Sequence, residues 1–263
     1  MSLAFACRLP VVLCLAVLSA CAGPRRNLTQ LAEPEGPAPD YAALVAAADR
    51  TEADRKLDEE RRPVELLAFV GVRTGWRVAE LGAGSGYTTE LLARAVGPTG
   101  RVYAQNPAIV VDKYVKDLWP ERLARPINAA VVRVDQEFDT PLPEEARKLD
   151  AVVMNLFYHD LYWFGTDRKA MNEAIFSALK PGGVFVIIDH SAARGAGTTE
   201  VKRLHRVEEA VVIEDVKAAG FTLVDEGQFL RNPDDARDWM VFTEGKRGHT
   251  DRFVLKFARP LVR

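Results

Sequence analysis

The sequence predicts an α/β fold in which seven strands alternate with helices that cover both faces of one sheet. Short apolar runs alternate along the chain with stretches whose apolar residues have helical spacing. One run, Val184 to Asp189, is almost continuously apolar, as in a strand buried on both faces. A glycine-rich turn, Gly82 to Gly86, lies between the first strand of this series and a helix. These three observations exclude a fibrous or disordered chain.

The individual elements follow from apolar spacing and from glycine and proline breaks. Helices are predicted at Pro63–Val70, Thr88–Val96, Pro107 to about Leu123, Asp167–Leu179 and Val207–Ala219. Strands are predicted at Arg77–Leu81, Arg101–Gln105, Ala129–Val134, Leu149–Leu156, Val184–Asp189, Phe221–Asp225 and Arg252–Phe257, with Trp239–Phe242 a candidate for a further extended piece.

The N-terminal 40 residues are interpreted as a targeting signal followed by a tether. Leu9 to Ala20 is apolar but too short for a comfortable membrane span, and Arg8 precedes it. Leu18-Ser19-Ala20-Cys21 resembles the bacterial lipobox, whose cysteine becomes lipid-modified after cleavage. We therefore expect a signal peptide over 1–20, lipidation at Cys21 and a proline-rich tether over 21–40.

This interpretation implies export and attachment to the bacterial cell envelope through the lipid on Cys21. Because Ala22 is not an aspartate, the outer membrane is favoured over the inner one. A plain secretory signal with an incidental cysteine is the alternative. All three cysteines lie in the first 21 residues, so the body can hold no disulfide framework.

Composition favours a small-molecule site over a nucleic-acid surface. The 263 residues include 35 Lys+Arg and 37 Asp+Glu, with a formal net charge of −2. Neutralising a phosphate backbone requires clustered basic residues, which this chain lacks. Oligomeric state is not predicted.

A charged helical segment, 41–62, precedes the body of the domain, which we place at 63–263. Such a run of charges is usually a solvated helix face. The alternative is a lid over the ligand crevice that contributes Arg55, Arg61 or Arg62 to a carboxylate.

The turn Glu80-Leu-Gly-Ala-Gly-Ser-Gly86 is the first place to look for a ligand, because ligands of such sheets bind at the carboxyl ends of the strands. Its G-x-G-x-G spacing differs from the G-x-G-x-x-G of dinucleotide sites. Together with Gly100-Arg-Val-Tyr-Ala104 and Leu179-Lys-Pro-Gly-Gly-Val-Phe-Val186, it resembles the signature turns of class I S-adenosylmethionine-dependent methyltransferases. The resemblance covers roughly Pro63 to Phe257.

That resemblance implies a doubly wound, mostly parallel, Rossmann-like sheet whose last strand is antiparallel, with S-adenosyl-L-methionine as cofactor. It implies that Glu80 faces the methionine end of the cofactor and that the turn forms the backbone floor. Asn106 stands where the family usually has a carboxylate for the ribose, and Asp135 or Gln136 follows strand three near the adenine. The expected cofactor-binding residues are Glu80, Gly82, Ala83, Gly84, Gly86, Asn106 and Asp135.

Catalytic candidates follow strands four and five, which the family makes neighbours. His159 and Asp160 come after the first of these strands, and Asp189 and His190 end the second. A histidine can take a proton from the acceptor near neutral pH, and a carboxylate can orient it. We therefore expect His159, Asp160 and His190 to be catalytic.

Two alternatives remain open at this site. Asn155 has the spacing of the Asn-Pro-Pro-Tyr loop of amino-group methyltransferases, but both prolines are missing. A divalent metal on Asp160, Asp189 and His190, as in metal-dependent O-methyltransferases, is a further alternative, although the sequence itself assigns no metal.

The function predicted is methyl transfer from S-adenosylmethionine to an unidentified small-molecule or protein acceptor. The competing hypothesis is a non-catalytic ligand-binding lipoprotein that keeps the fold. It gains weight because the cofactor is made in the cytoplasm whereas a lipoprotein faces outward. A protein-repair methyltransferase is a third reading, although its dedicated substrate residues are not recognisable here.

Overall fold

The computed structural model describes residues 34–261 as one seven-stranded sheet with helices on both faces. The strand order is β3-β2-β1-β4-β5-β7-β6, and only β7 runs antiparallel to its neighbours β5 and β6. The strands are β1 (Arg77–Leu81), β2 (Arg101–Gln105), β3 (Val131–Val134), β4 (Leu149–Asn155), β5 (Leu179–His190), β6 (Thr222–Gly227) and β7 (Arg252–Ala258). The predicted doubly wound sheet is confirmed.

Ten α-helices occur in the described part of the chain: α1 (Tyr41–Val45), α2 (Glu52–Arg61), α3 (Pro63–Val70), α4 (Tyr87–Val96), α5 (Ala108–Val110), α6 (Leu118–Leu123), α7 (Tyr158–Phe164), α8 (Arg168–Ala178), α9 (Val201–Leu204) and α10 (Glu209–Ala218). A π-helical turn, Val111–Val115, and a 3-10 turn, Pro126–Asn128, lie among them.

The core has two layers, one on each face of the sheet. Side chains of α3 and α4 pack on one face, and those of α7, α8 and α10 pack on the other. Strand β5 contributes alternately to both layers: Phe185 and Ile187 face one, and Val186 and Ile188 face the other. This two-sided burial explains the unbroken apolar run in the sequence.

Three predicted elements differ from the structure. The helix expected from Pro107 to Leu123 is broken into α5, the π turn and α6. Pro120 has no N–H to bond back to the turn before α6, which accounts for the second of these breaks. Strand β5 begins at Leu179, before the glycines expected to form a turn, since Leu179 pairs with Leu149 of β4. Trp239–Phe242 forms no strand and lies in turns.

The charged segment 41–62 folds as two short helices packed against the body. Asp54 of α2 accepts two hydrogen bonds, 2.6 and 2.7 Å, from the guanidinium of Arg122 in α6. Arg122 also donates to Glu90 of α4, which is 1% exposed. Breaking a buried pair of this kind typically costs about 3–5 kcal/mol. The segment is therefore fixed beside the glycine turn rather than being merely a solvated helix.

The predicted signal peptide, Cys21 and most of the tether lie outside the described residues. Within 34–261, no helix has the length and apolar character needed to cross a membrane.

Candidate active site

Two amide side chains hold the glycine turn after β1: Gln105, the last residue of β2, and Asn106, which follows it. The N–H of Gly82 donates to Gln105 Oε1 (3.0 Å), and the N–H of Gly84 donates to Asn106 Oδ1 (2.8 Å). Gly84 has a φ of 57°, and a Cβ there would meet nothing within 4 Å. Only glycine adopts this conformation without strain, and the backbone at Gly84 faces open space.

A cavity of about 220 Å³ opens beside this turn, at the carboxyl ends of β1, β4 and β5. The predicted residues that line it are Glu80, Gly82, Ala83, Gly84, His159, Asp160 and His190. The turn therefore forms one side of the cavity, and the His-Asp residues after β4 and β5 form another. This juxtaposition is what the topology predicts for a ligand site.

Glu80 is the buried acid of the cavity, with only 2% of its surface exposed. Burial raises its pKa to about 7, although the hydroxyls of Thr89 and Thr88 oppose the shift by hydrogen bonding to the carboxylate. A cation bound beside Glu80 would favour its ionised form. The carboxyl is thus suited to a positively charged part of a ligand.

His159 is fixed by the carboxylate of Asp189. The backbone N–H of His159 donates to Asp189 Oδ2, and Nδ1 of its ring lies 2.7 Å from Oδ1. Burial disfavours charge on His159, but the carboxylates of Asp189 and Asp160 outweigh burial and raise its pKa. The His-Asp pair therefore joins two elements: Asp189 in β5 orients the imidazole of His159 in α7.

His190 differs from His159 in its surroundings. Its Nδ1 lies 2.8 Å from the hydroxyl of Thr250. Within residues 34–261, no carboxylate is bonded to its ring. Burial, His159 and Arg252 hold the pKa of His190 well below the usual range, so its imidazole is neutral.

A third histidine, His205, which is not among the predicted catalytic residues, joins this cluster. Its Nδ1 lies 3.3 Å from Nε2 of His159, across 46 residues of chain. His205 caps α9 in the left-handed region, with a φ of 54°. The edges of Trp163 and Phe242 contact its ring.

Two basic side chains form part of the cavity wall. Arg61 reaches it from α2 and Arg252 from the start of β7. Arg252 is 6% exposed, and within residues 34–261 its Nε has no hydrogen-bond partner. Burial lowers the pKa of Arg252 to about 10, and Arg61 acts in the same direction while Glu60 opposes it. These guanidinium groups are suited to an anionic group. Arg61 lines the cavity, whereas Arg55 and Arg62 do not, and a contact of Arg61 with a ligand carboxylate stays a prediction.

Three predicted cofactor residues do not line this cavity. Gly86 packs under Trp119 and Arg122, which a Cβ would meet at 2.8 Å. Asn106 is buried, and its carboxamide makes hydrogen bonds to both the N–H and the carbonyl of Gly84. Asp135 is half-exposed and pairs with Arg133. Their roles in cofactor binding stay predictions, and Asn106 supports the turn from behind.

Asn155 does line the cavity, but its Nδ2 donates to Thr88 Oγ1 (3.1 Å). That bond anchors the end of β4 to α4.

A second cavity of about 290 Å³ lies beyond the ends of β2 and β3, lined in part by Pro107 and Phe138. Phe157 lines the first cavity, and its ring centroid is 5.1 Å from that of Phe138, which lines the second. A Cβ on Gly82 would lie 2.6 Å from the Phe157 ring.

The two cavities bear on the fit of S-adenosylmethionine. Its methionine part carries an ammonium group and a carboxylate close to the sulfonium. The ammonium group suits Glu80, the carboxylate suits Arg61 and Arg252, and the backbone at Gly84 leaves space for the chain between them. The second cavity lies after β2 and β3, where the resemblance places the adenosine. The residues of the first cavity therefore fit the methionine half of the cofactor.

Comparison with known proteins also indicates an S-adenosylmethionine-dependent methyltransferase. Residues 79–187 match the family model of a methyltransferase domain. Two curated relatives are ubiquinone/menaquinone biosynthesis C-methyltransferases. The Saccharophagus degradans protein is 24% identical over 190 residues, covering 72% of this chain and 67% of its own. The Pseudomonas putida protein is 26% identical over 192 residues, covering 72% and 65%.

Among solved structures, a SAM-dependent methyltransferase from Aquifex aeolicus is 19% identical, with a TM-score of 0.53. The match covers 83% of this chain and 97% of that one. At this identity the likeness concerns the fold. The chain spans about two thirds of the length of its curated relatives.

The matched domain and the relatives support a methyltransferase that uses S-adenosylmethionine as its cofactor, and the fold and the glycine turn agree with that class.

Proposed function

We propose that the chain transfers the methyl group of S-adenosylmethionine to a small acceptor that carries a hydroxyl or enolic oxygen. One observation carries the proposal: a single cavity has the glycine turn on one side and His159, Asp160 and His190 on another. At about 220 Å³ it suits part of a small molecule better than a protein segment. The protein-acceptor alternative is therefore disfavoured.

S-adenosylmethionine supplies a methyl group on a sulfonium, which moves to a nucleophile by in-line displacement. The acceptor would form its new bond to carbon as the carbon–sulfur bond breaks with its electron pair left on sulfur, and the acceptor proton would pass to the imidazole of His159. Positioning alone accelerates such a step greatly. Glu80 and Arg61 would hold the methionine part, and Arg252 an anionic group of the cofactor or the acceptor.

His159 and Asp160 are the proposed catalytic residues, because both line the cavity beside the turn. Asp189, which touches His159 but does not line the cavity, is a positioning residue. His190 lines the cavity next to them, and Phe157 and Phe242 provide aromatic walls. Such walls suit a ring-shaped acceptor.

The names of the curated relatives suggest which acceptors to assay first. Those proteins are C-methyltransferases of ubiquinone and menaquinone biosynthesis. A carbon next to a ring oxygen becomes nucleophilic when that oxygen is ionised, so the same site serves oxygen or carbon methylation.

The test is to incubate the full chain with S-adenosylmethionine and three groups of acceptors: hydroxylated aromatic rings, small hydroxy acids and primary amines. Formation of the demethylated cofactor is the readout. We expect turnover with a hydroxylated ring and a loss of 100-fold or more in His159→Ala, in the range typical of acid-base residues. His249→Ala, an exposed histidine outside the cavity, is the matched control.

Methylation of amines alone would overturn the oxygen acceptor. Absence of cofactor binding would instead contradict methyl transfer from S-adenosylmethionine itself.

We also propose that the protein is exported and anchored through a lipid on Cys21. The support is the order of Arg8, the apolar run and Leu18-Ser19-Ala20-Cys21 in the sequence.

A further inference from the structure

Three ligand atoms of the histidine cluster form a nearly equilateral triangle. Nε2 of His159 lies 3.3 Å from Nδ1 of His205 and 3.3 Å from Oδ1 of Asp160, and the third edge, His205 Nδ1 to Asp160 Oδ1, is 3.4 Å. We propose that His159, Asp160 and His205 form a binding site for a divalent transition metal of the zinc type.

The edge length selects the kind of metal. A tetrahedral ion with ligands at about 2.0–2.1 Å separates neighbouring ligand atoms by about 3.4 Å. An octahedral magnesium ion with oxygens at about 2.0–2.1 Å separates them by only about 2.9 Å. The observed edges match the tetrahedral case, and two imidazoles with one carboxylate are typical ligands of zinc rather than of magnesium.

Asp160 provides a second observation. Its Oδ1 is buried and, among the residues that the structure describes, accepts no hydrogen bond, although two ring nitrogens lie within 3.4 Å. A buried polar oxygen that makes no hydrogen bond costs roughly 1–3 kcal/mol, and more when the group is charged. A metal ion at the centre of the triangle would satisfy this oxygen and both nitrogens together.

The surroundings fix the ligands as a metal site requires. Asp189 holds Nδ1 of His159 at 2.7 Å, which leaves Nε2 with its lone pair toward the triangle. A carboxylate behind a ligating histidine is the usual outer-shell arrangement. His205 occupies the left-handed region, which costs a non-glycine residue about 1–2 kcal/mol. The strained residue is therefore the one that supplies Nδ1 to the triangle.

This set differs from the metal ligands considered from the sequence, Asp160, Asp189 and His190. Asp189 is excluded because both its oxygens are engaged: Oδ1 with the His159 ring and the His190 N–H, and Oδ2 with the His159 N–H. The ring of His190 contacts Thr250 instead.

Three protein ligands leave the fourth tetrahedral position for another donor, as in catalytic zinc sites. His159 and Asp160 both line the cavity, so a water or an acceptor oxygen can reach that position. Only this use of the open position rests on the proposed function; metal binding itself does not. With His159 as a ligand its imidazole would not take the acceptor proton; a metal-bound oxygen would instead be ionised near neutral pH, with its proton released to solvent.

The test uses the full chain in detergent, stripped with a chelator and titrated with Co²⁺ and with Zn²⁺ in the absence of S-adenosylmethionine. We expect one equivalent to bind through the cluster, with the intense visible absorption of tetrahedral Co²⁺. His205→Ala and the near-isosteric Asp160→Asn should each weaken binding tenfold or more, since even outer-shell changes commonly cost 10–100-fold. His249→Ala, at an exposed histidine, should leave binding unchanged.

Any metal bound by the cysteines near the N-terminus would persist in all variants and cancels in the comparison. Equal binding by the wild type, His205→Ala and Asp160→Asn would overturn the proposal, as would Co²⁺ spectra of octahedral type. Metal binding without methyl transfer would instead contradict the proposed function alone. Circular dichroism of each variant separates lost ligands from lost folding, and the conservative Asp160→Asn remains decisive if His205→Ala unfolds.

Discussion

As the pH rises from 5 to 8, we expect the wild type to lose unfolding free energy that the variant Glu80→Gln keeps. In the folded protein the pKa of Glu80 is about 7, against an ordinary value of 4.5. The folded chain therefore keeps a proton that the unfolded chain releases. Stability from this group is fully present below pH 4.5 and is lost as the pH rises through about 7.

The size of the effect follows from the two pKa values. Between pH 5 and pH 8 the wild type should lose about 2–3 kcal/mol of unfolding free energy that Glu80→Gln does not lose. Glutamine also introduces a pH-independent cost, because its amide N–H groups need partners in a buried place. Comparing the two chains across pH removes that constant.

Urea unfolding of both full-length chains at pH 5, 6, 7 and 8 measures the difference directly. Glu226→Gln, the same exchange at an exposed position, is the control for the substitution itself. A difference between wild type and Glu80→Gln that stays constant within about 0.5 kcal/mol over this range would refute the assignment of a raised pKa to Glu80.

Three further predictions concern the turn, the anchor and the catalytic residues. Gly82→Ala should lower the unfolding free energy by about 1–3 kcal/mol, because Gly82 has a positive φ and the new Cβ would lie 2.6 Å from the Phe157 ring. Gly165 also has a positive φ but faces open space, so Gly165→Ala should cost less in urea unfolding. Equal costs for the two variants would exclude the ring contact as a cause. Cys21→Ser should release the protein from membranes in cell fractionation, and unchanged membrane association would exclude the lipid anchor. His159→Ala should lower kcat more than it weakens cofactor affinity in calorimetry, and equal losses would make His159 a binding residue.

The sequence was most informative where backbone pattern determines structure. Strands β1, β2, β4 and β7 fall within a residue or two of their predicted bounds, because buried strands appear as apolar runs ended by glycine or polar residues. The position of the glycine turn after β1 also followed from spacing alone. The His-Asp residues after β4 and β5 meet because parallel neighbouring strands end at the same edge of the sheet.

Long-range placement could not be predicted. His205 reaches the cluster through a left-handed residue at the end of a four-residue helix, which no periodicity signals. Arg61 and Arg252 share a cavity wall although they lie at opposite ends of the domain. Asn106 was expected to face the ribose, yet its amide closes on Gly84, because a short polar side chain at a strand end can satisfy the adjacent turn.

The measurement that tests the central claim most directly is a calorimetric titration of the full chain with S-adenosylmethionine and with its demethylated product. The site predicts micromolar binding of both at one equivalent, with S-adenosylmethionine affinity rising between pH 6 and pH 8 as Glu80 ionises beside the bound cation. No binding below millimolar concentration, in a protein shown to be folded, would contradict a cofactor site at the glycine turn.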